Sequence, residues 1–145
     1  MSRPRLWAAP PIAHRLQAEL GDVARLLGYA LDRAEAKAGE RLRLTLYWEA
    51  LGTPQVSYTV FTHVIDGEGR VWGQQDNAPQ QGQAPTTGWL PGEVVVDEYT
   101  MPVPAQTPPG SYTIEVGMYD PATGQRLGTS GGEDRVLLAQ VKVVR

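Results

Sequence analysis

The stretch Glu40-Arg41-Leu42-Arg43-Leu44-Thr45-Leu46-Tyr47-Trp48-Glu49-Ala50 decides the fold. Leu42, Leu44, Leu46 and Trp48 alternate with Arg41, Arg43, Thr45 and Tyr47, the period of a strand with one face buried and the other wet. A slip of one residue would drive two arginines into the core, so the register is strongly specified. Toward the C-terminus, Gly52-Thr53-Pro54 breaks the run and Ser57–Asp66 resumes it with β-branched and aromatic residues. Asp66-Gly67-Glu68-Gly69 predicts a hairpin turn, because glycine supplies the positive φ that tight strand connections need. The return strand is Arg70–Asp76. A long loop rich in Gln, Gly, Pro and Thr follows between Asn77 and Gly92, with Trp89 and Leu90 its only large apolar residues. Loops of this length are uncommon in compact domains and are often functional.

Glu93–Met101 alternates weakly, and Gly110–Asp120 is a second clean strand with Tyr112, Ile114, Val116 and Met118 on one face. Asp120-Pro121-Ala122-Thr123-Gly124 has the residues of a tight turn. A short strand at Gln125–Gly128 and a last one at Arg135–Val144 complete the chain. Toward the N-terminus, Val23–Arg33 reads as a strand covered on both faces, and Ala34–Gly39 connects it to the deciding stretch. Met1–Asp22 carries Pro4, Pro10 and Pro11 and reads as an irregular leader, within which His14–Leu20 forms either a helical turn or a short edge strand. The expectation is an all-β fold: a single antiparallel β-sandwich of seven or eight strands, Ig-like or jelly-roll-like, over residues 23–145. Leu42, Leu44, Leu46, Trp48, Val60, Val64, Ile114, Val116, Met118, Leu138 and Val141 are its expected core.

Composition agrees with that architecture. The 145 residues include 16 Gly and 12 Pro, more than a helical domain tolerates and less than low-complexity disorder shows. A chain of this length buries one sizeable core without disulfides or metals. The 13 basic and 16 acidic side chains leave a formal charge of −3, with no Lys/Arg run to attract nucleic acid or an anionic membrane. Cysteine is absent, which excludes thiolate chemistry. No apolar stretch has the length to span a bilayer, and Met1–Gln17 lacks the apolar centre of a signal peptide, so the chain as given reads as soluble.

Catalytic constellations are sparse. His63 lies mid-strand, and the only other histidine, His14, sits in the leader, so a structural His63 is expected and no cofactor is implied. Asp97 and Glu98 are strand neighbours that point to opposite faces and do not form the carboxylate pair of a glycosidase. Asp66, Glu68 and Asp120 sit at turns; a turn-bound Ca²⁺ would need Asp66, Glu68 and Asp76 to converge. Ser111 and Ser130 lack a nucleophile elbow, and Gly131-Gly132 opens no helix. Aromatics are the remaining handle, because sugar rings present apolar C–H faces to indoles and hydroxyls to amides and carboxylates. Trp72, Gln74, Asp76 and Trp89, with Gln80, Gln81 and Gln83 across the loop, supply both kinds, and the first four are the expected glycan-binding residues. The competing reading makes Trp72 and Trp89 caps on the ends of the sandwich.

Six short motifs occur in order: Arg25-Leu26-Leu27-Gly28-Tyr29, Leu42 to Trp48, Tyr58-Thr59-Val60-Phe61-Thr62-His63, Trp89-Leu90-Pro91-Gly92-Glu93-Val94, Pro109-Gly110-Ser111-Tyr112, and Val116 to Gly124. Together they cover about Val23 to Leu127. The series resembles the soluble C-terminal β-sandwich region of multi-spanning bacterial glycosyltransferases of the dolichyl-phosphate-mannose–protein mannosyltransferase type. The resemblance implies a non-catalytic accessory module on the extracytoplasmic face of the membrane, because transferase chemistry lies in the membrane portion. It also implies that Met1–Asp22 tethers the domain, with Arg3, Arg5 and Trp7 suited to an interface. Its partners would be a glycan or the membrane portion of the transferase. The alternative is a structural protein-interaction domain that docks on a membrane partner or self-associates through a sheet edge.

Overall fold

The computed structural model describes residues 3–145; Met1 and Ser2 of the expected leader lie outside the described residues. Among the described residues, nine strands form two sheets. The first sheet holds, in spatial order, β1 (His14–Leu20), β2 (Ala24–Leu31), β4 (Arg41–Ala50) and β7 (Val94–Pro102), all antiparallel. The second holds β3 (Glu35–Lys37), β9 (Val136–Val144), β8 (Gly110–Tyr119), β5 (Thr59–Ile65) and β6 (Val71–Gln74), antiparallel except for the short parallel pair β3–β9. The expected all-β sandwich is what the chain adopts.

The deciding stretch behaves as its alternation requires. Leu42, Leu44, Leu46 and Trp48 are fully buried, while Arg41 and Arg43 are exposed. Val60, Val64, Ile114, Val116, Met118 and Val141 join them between the sheets. Leu138, also expected there, is only half-buried, because a register shift between β8 and β9 offsets that end of the ladder.

Besides the strand count, nine in place of seven or eight, and β3, which lies within the expected connection Ala34–Gly39, three elements differ from expectation. The leader is not irregular throughout: residues 14–20 are the edge strand β1, with Leu20 in the core and Leu16 and Ala18 packed against it. A period-two signal was present there, in Leu16, Ala18 and Leu20 against Arg15, Gln17 and Glu19. The two-sided reading of β2 came from a bulge at Leu27, which resets the period so that Leu26 pairs with Trp48 and Tyr29 with Leu46 on the same inner face. Gly28 sits at that bulge with φ +154°, and a Cβ there would lie 2.3 Å from the His14 carbonyl oxygen, so β1 can approach only a glycine. The third difference is at residues 125–128, which make the isolated bridge Tyr119↔Arg126 in place of a strand.

Candidate functional site

Three buried ionic clusters tie loops to sheets. The first lies on the outer face of the five-stranded sheet, where strand alternation turns Phe61, His63 and Glu115 away from the core. His63 Nδ1 contacts Glu115 Oε2 at 2.9 Å, and its Nε2 lies 3.5 Å from Asp76 Oδ1. Arg135 donates to Glu115 Oε1 at 2.9 Å, and the Arg126 guanidinium stacks 4.1 Å over the Phe61 ring. Phe61 fits under this roof because position 117 is glycine, where a Cβ would meet the ring at 2.4 Å. Burial opposes charge on His63, but the Asp76 and Glu115 carboxylates outweigh it and raise its pKa to about 9. Burial likewise works against Glu115, and His63 and Arg135 overcome it, bringing the carboxyl down to about 2. At neutral pH His63 is therefore mainly the imidazolium, its two ring N–H groups directed at the Asp76 and Glu115 carboxylates.

The second cluster ties the N-terminal segment to the sandwich. Glu93 is fully buried and accepts from Arg3 at 2.6 Å, from Arg5 at 2.5 Å and from the Leu90 amide at 3.1 Å. Burial would raise its pKa, but the two arginines and the amide hold it below the ordinary value. Arg5 also donates to the Gly88 carbonyl at 2.9 Å, and Leu6 bridges to Val94. Arg3 and Arg5, which the sequence suggested for a membrane interface, are thus committed inside the protein; Trp7 remains 59% exposed.

The third cluster is in the core. Asp97 accepts from the Gln80 amide at 2.7 Å, the Tyr99 hydroxyl at 2.6 Å and Trp48 Nε1 at 3.2 Å. Burial dominates its titration and pushes the carboxyl up to about 6, with the three donors pulling the other way. Glu98, its neighbour, is exposed on the opposite face, as the strand geometry required.

The four expected glycan residues do not form one surface. Trp89 is 0% exposed and donates its indole N–H to the Ala84 carbonyl at 2.8 Å, so it offers no face for a sugar. It caps the core, the competing sequence reading. Trp72 is half-buried against the core and donates to Asp66 Oδ2 at 3.0 Å. Gln74 is exposed beside His63 in the β5–β6 register, and Asp76 faces His63. The oxygens considered for Ca²⁺ do not assemble: Asp66 is occupied by Trp72, Arg70 and two backbone amides, far in role from Asp76. Among the described residues, no group of three His, Asp or Glu side chains is placed to hold a metal ion.

What the structure does bring together is the glutamines. The loop after β6 contains two short 3-10 turns, Pro79–Gly82 and Thr86–Gly88. Gln80 and Gln81 take left-handed φ values of 54° and 56°, the only non-glycine positive φ among the described residues, at about 1–2 kcal/mol each. The Asp97 carboxylate and a bond from Gln80 Nε2 to the Val96 carbonyl at 3.0 Å hold Gln80 there, with Gln81 next to it in the same turn. Between this turn and β7 lies a cleft of about 420 Å³, lined by Gln80, Gln81, Gln83, Val96, Glu98 and Thr100. The sequence listed these glutamines as supporting partners of the two tryptophans, but nothing in its periodicity placed them against Glu98.

Fold and geometry define a two-sheet β-sandwich with loops pinned by buried ion pairs. No known family model matches the chain, and no curated protein matches it significantly. Among the described residues, no helix is long and apolar enough to cross a membrane.

Proposed function

We propose that the chain is a non-catalytic accessory β-sandwich that acts by binding, with glycan as its ligand, in an extracytoplasmic module of a membrane glycosyltransferase-like protein. The observation that carries the binding reading is the use made of the buried charged groups. His63, Glu93 and Asp97 each meet two or more opposite charges or donors, and each cluster includes a bond that anchors a loop or terminal segment to a sheet. Groups so engaged serve as scaffold, and the loop between β6 and β7 is the element they hold in place. The ordered motif series supports the glycosyltransferase context. Amide chemical shifts recorded while neutral oligosaccharides are added to millimolar concentration test the reading. Specific, saturable shifts support it, and an unchanged spectrum overturns it. The interaction-domain alternative gains if the spectrum stays unchanged while the chain self-associates.

A further inference from the structure

We propose that the cleft between the Pro79–Gly82 turn and β7 is the binding site for a neutral oligosaccharide segment, and that Asp97 is its positioning residue. This rests on the glycan-binding reading above and gives it a place that the sequence did not assign.

The cleft lies on the outer face of the four-stranded sheet. Val96, Glu98 and Thr100 point outward from β7, opposite Tyr47, Thr45 and Arg43 of β4. Gln81, Gln83, Glu98 and Thr100 are exposed, so their polar groups are open to a ligand. Each primary amide carries a carbonyl acceptor and an NH₂ donor on one rigid plane, matching adjacent sugar hydroxyls, which also donate and accept. Glu98 adds an acceptor and Thr100 a hydroxyl. Tyr47, half-buried beside Val96, sets an aromatic ring next to the cleft floor for the apolar face of a sugar. Glu98 is the charged group lining the cleft, and the exposed Arg43 opposite Thr100 lies beside it and offsets that charge, so no net positive charge favours an anionic sugar.

Backbone conformation is the second observation. Glycine or asparagine is the ordinary residue in the left-handed region, and two consecutive glutamines there gain nothing locally. They persist because Asp97 takes the Gln80 amide from below and Val96 takes its side chain from the side. That arrangement fixes the backbone from which the exposed Gln81 side chain extends, so the turn itself need not be ordered on binding. Strain held by a buried carboxylate beside a polar cleft is what a preorganised site requires.

The test uses the full chain, isotope-labelled, with linear manno-, gluco- and N-acetylglucosamine oligosaccharides as probes and oligogalacturonate as the anionic comparison. Shifts are expected at Gln80, Gln81, Gln83, Val96 and Glu98 with a neutral probe. The double variant Gln81→Ala, Gln83→Ala alters only exposed side chains; it should keep its melting temperature and weaken binding about tenfold or more. Asp97→Asn leaves the cleft side chains unsubstituted but loosens the turn, so it should weaken binding and move the Gln80 and Gln81 amide signals of the free protein; unchanged binding overturns the positioning role. Shifts confined to the Trp72 to Asp76 region overturn the cleft and leave the glycan reading standing. Tighter binding of oligogalacturonate overturns the neutral ligand, an unaffected double variant overturns the site, and no shift with any probe overturns both.

Discussion

Replacing Asp97 by Asn should change how stability responds to pH, with a sign set by burial. The Asp97 carboxyl has an ordinary value of 3.8 and is raised to about 6, by burial first and against the pull of Tyr99, Gln80 and Trp48. A raised acid holds its proton more tightly in the folded state than in the unfolded one. Below about pH 4 both states are protonated and Asp97 contributes nothing; between pH 4 and 6 the unfolded chain ionises first and stability falls. The interval of about two pH units, at 1.36 kcal/mol each, corresponds to about 3 kcal/mol. Asparagine does not titrate, so the stability of wild type minus that of Asp97→Asn should fall by about 3 kcal/mol from pH 4 to pH 7. Every other titrating group is common to both proteins and cancels. An offset is also expected. Three donors face the carboxylate, and an amide cannot accept from all of them, so the Gln80 N–H loses its partner at a cost of about 1–3 kcal/mol at acid pH. The variant should be the less stable protein at pH 4 and should approach or overtake wild type at pH 7. Urea unfolding followed by the buried Trp48 and Trp89 measures both curves. Two parallel curves, with a constant difference from pH 4 to 7, would refute the reasoning.

Other perturbations test the remaining anchors. The His63 pKa of about 9, against an ordinary 6.5, means that its stabilisation is complete below about pH 6.5 and is lost as pH rises through 9; about 3 kcal/mol should disappear over that window, and a His63→Gln protein should lack the slope. Replacing Arg3 and Arg5 by Ala leaves Glu93 buried without a cation, so unfolding in urea should come earlier by about 3–5 kcal/mol, with part of the loss recovered when Glu93→Gln is added. Trp89→Ala should lose about 3–5 kcal/mol, whereas an exposed sugar platform at that position would leave the melting temperature unchanged.

Much of the architecture was readable from alternation alone: β4 buries one face and leaves the other at least partly wet, and β8 alternates apolar with polar or small residues even though its outer face is covered at Glu115 and Gly117. Legibility failed where the backbone departs from period two. The bulge at Leu27 made β2 appear covered on both sides, and β1 was obscured by prolines upstream and by its own register shift between Arg15 and Ala18. β3 was too short, at three residues, to produce a pattern. The site was harder to read for a different reason. Indole is the best sugar platform and also the largest core filler, and sequence carries no measure of exposure to separate the two roles for Trp89. Asp97 and Glu98 could be assigned to opposite faces from their spacing, yet which face was the core depended on the pairing of β7 with β4.

The long loop between β6 and β7 explains why so many polar groups are buried near one strand. Its composition suggests a flexible segment, but it is tied down along its length. Asp97 takes the Gln80 amide, Thr86 accepts from the Tyr58 amide and donates to the Val56 carbonyl, Trp89 donates to Ala84, and Glu93 takes the Leu90 amide while Arg5 reaches Gly88. Two of those acceptors are buried carboxylates at or beside the start of β7, four residues apart. A buried carboxylate that loses a donor is destabilised, so any other path for the loop would strip Asp97 of the Gln80 amide and Glu93 of the Leu90 amide and leave each with fewer partners. The carboxylates therefore act less as a source of net stability than as a selection against alternative loop conformations. Hydrophobic residues in their places would fill the same volume and leave the glutamines free to move. A chain that retains buried acids at these positions holds one face of the loop in a single shape, which is the property a binding surface needs and a mere connection does not.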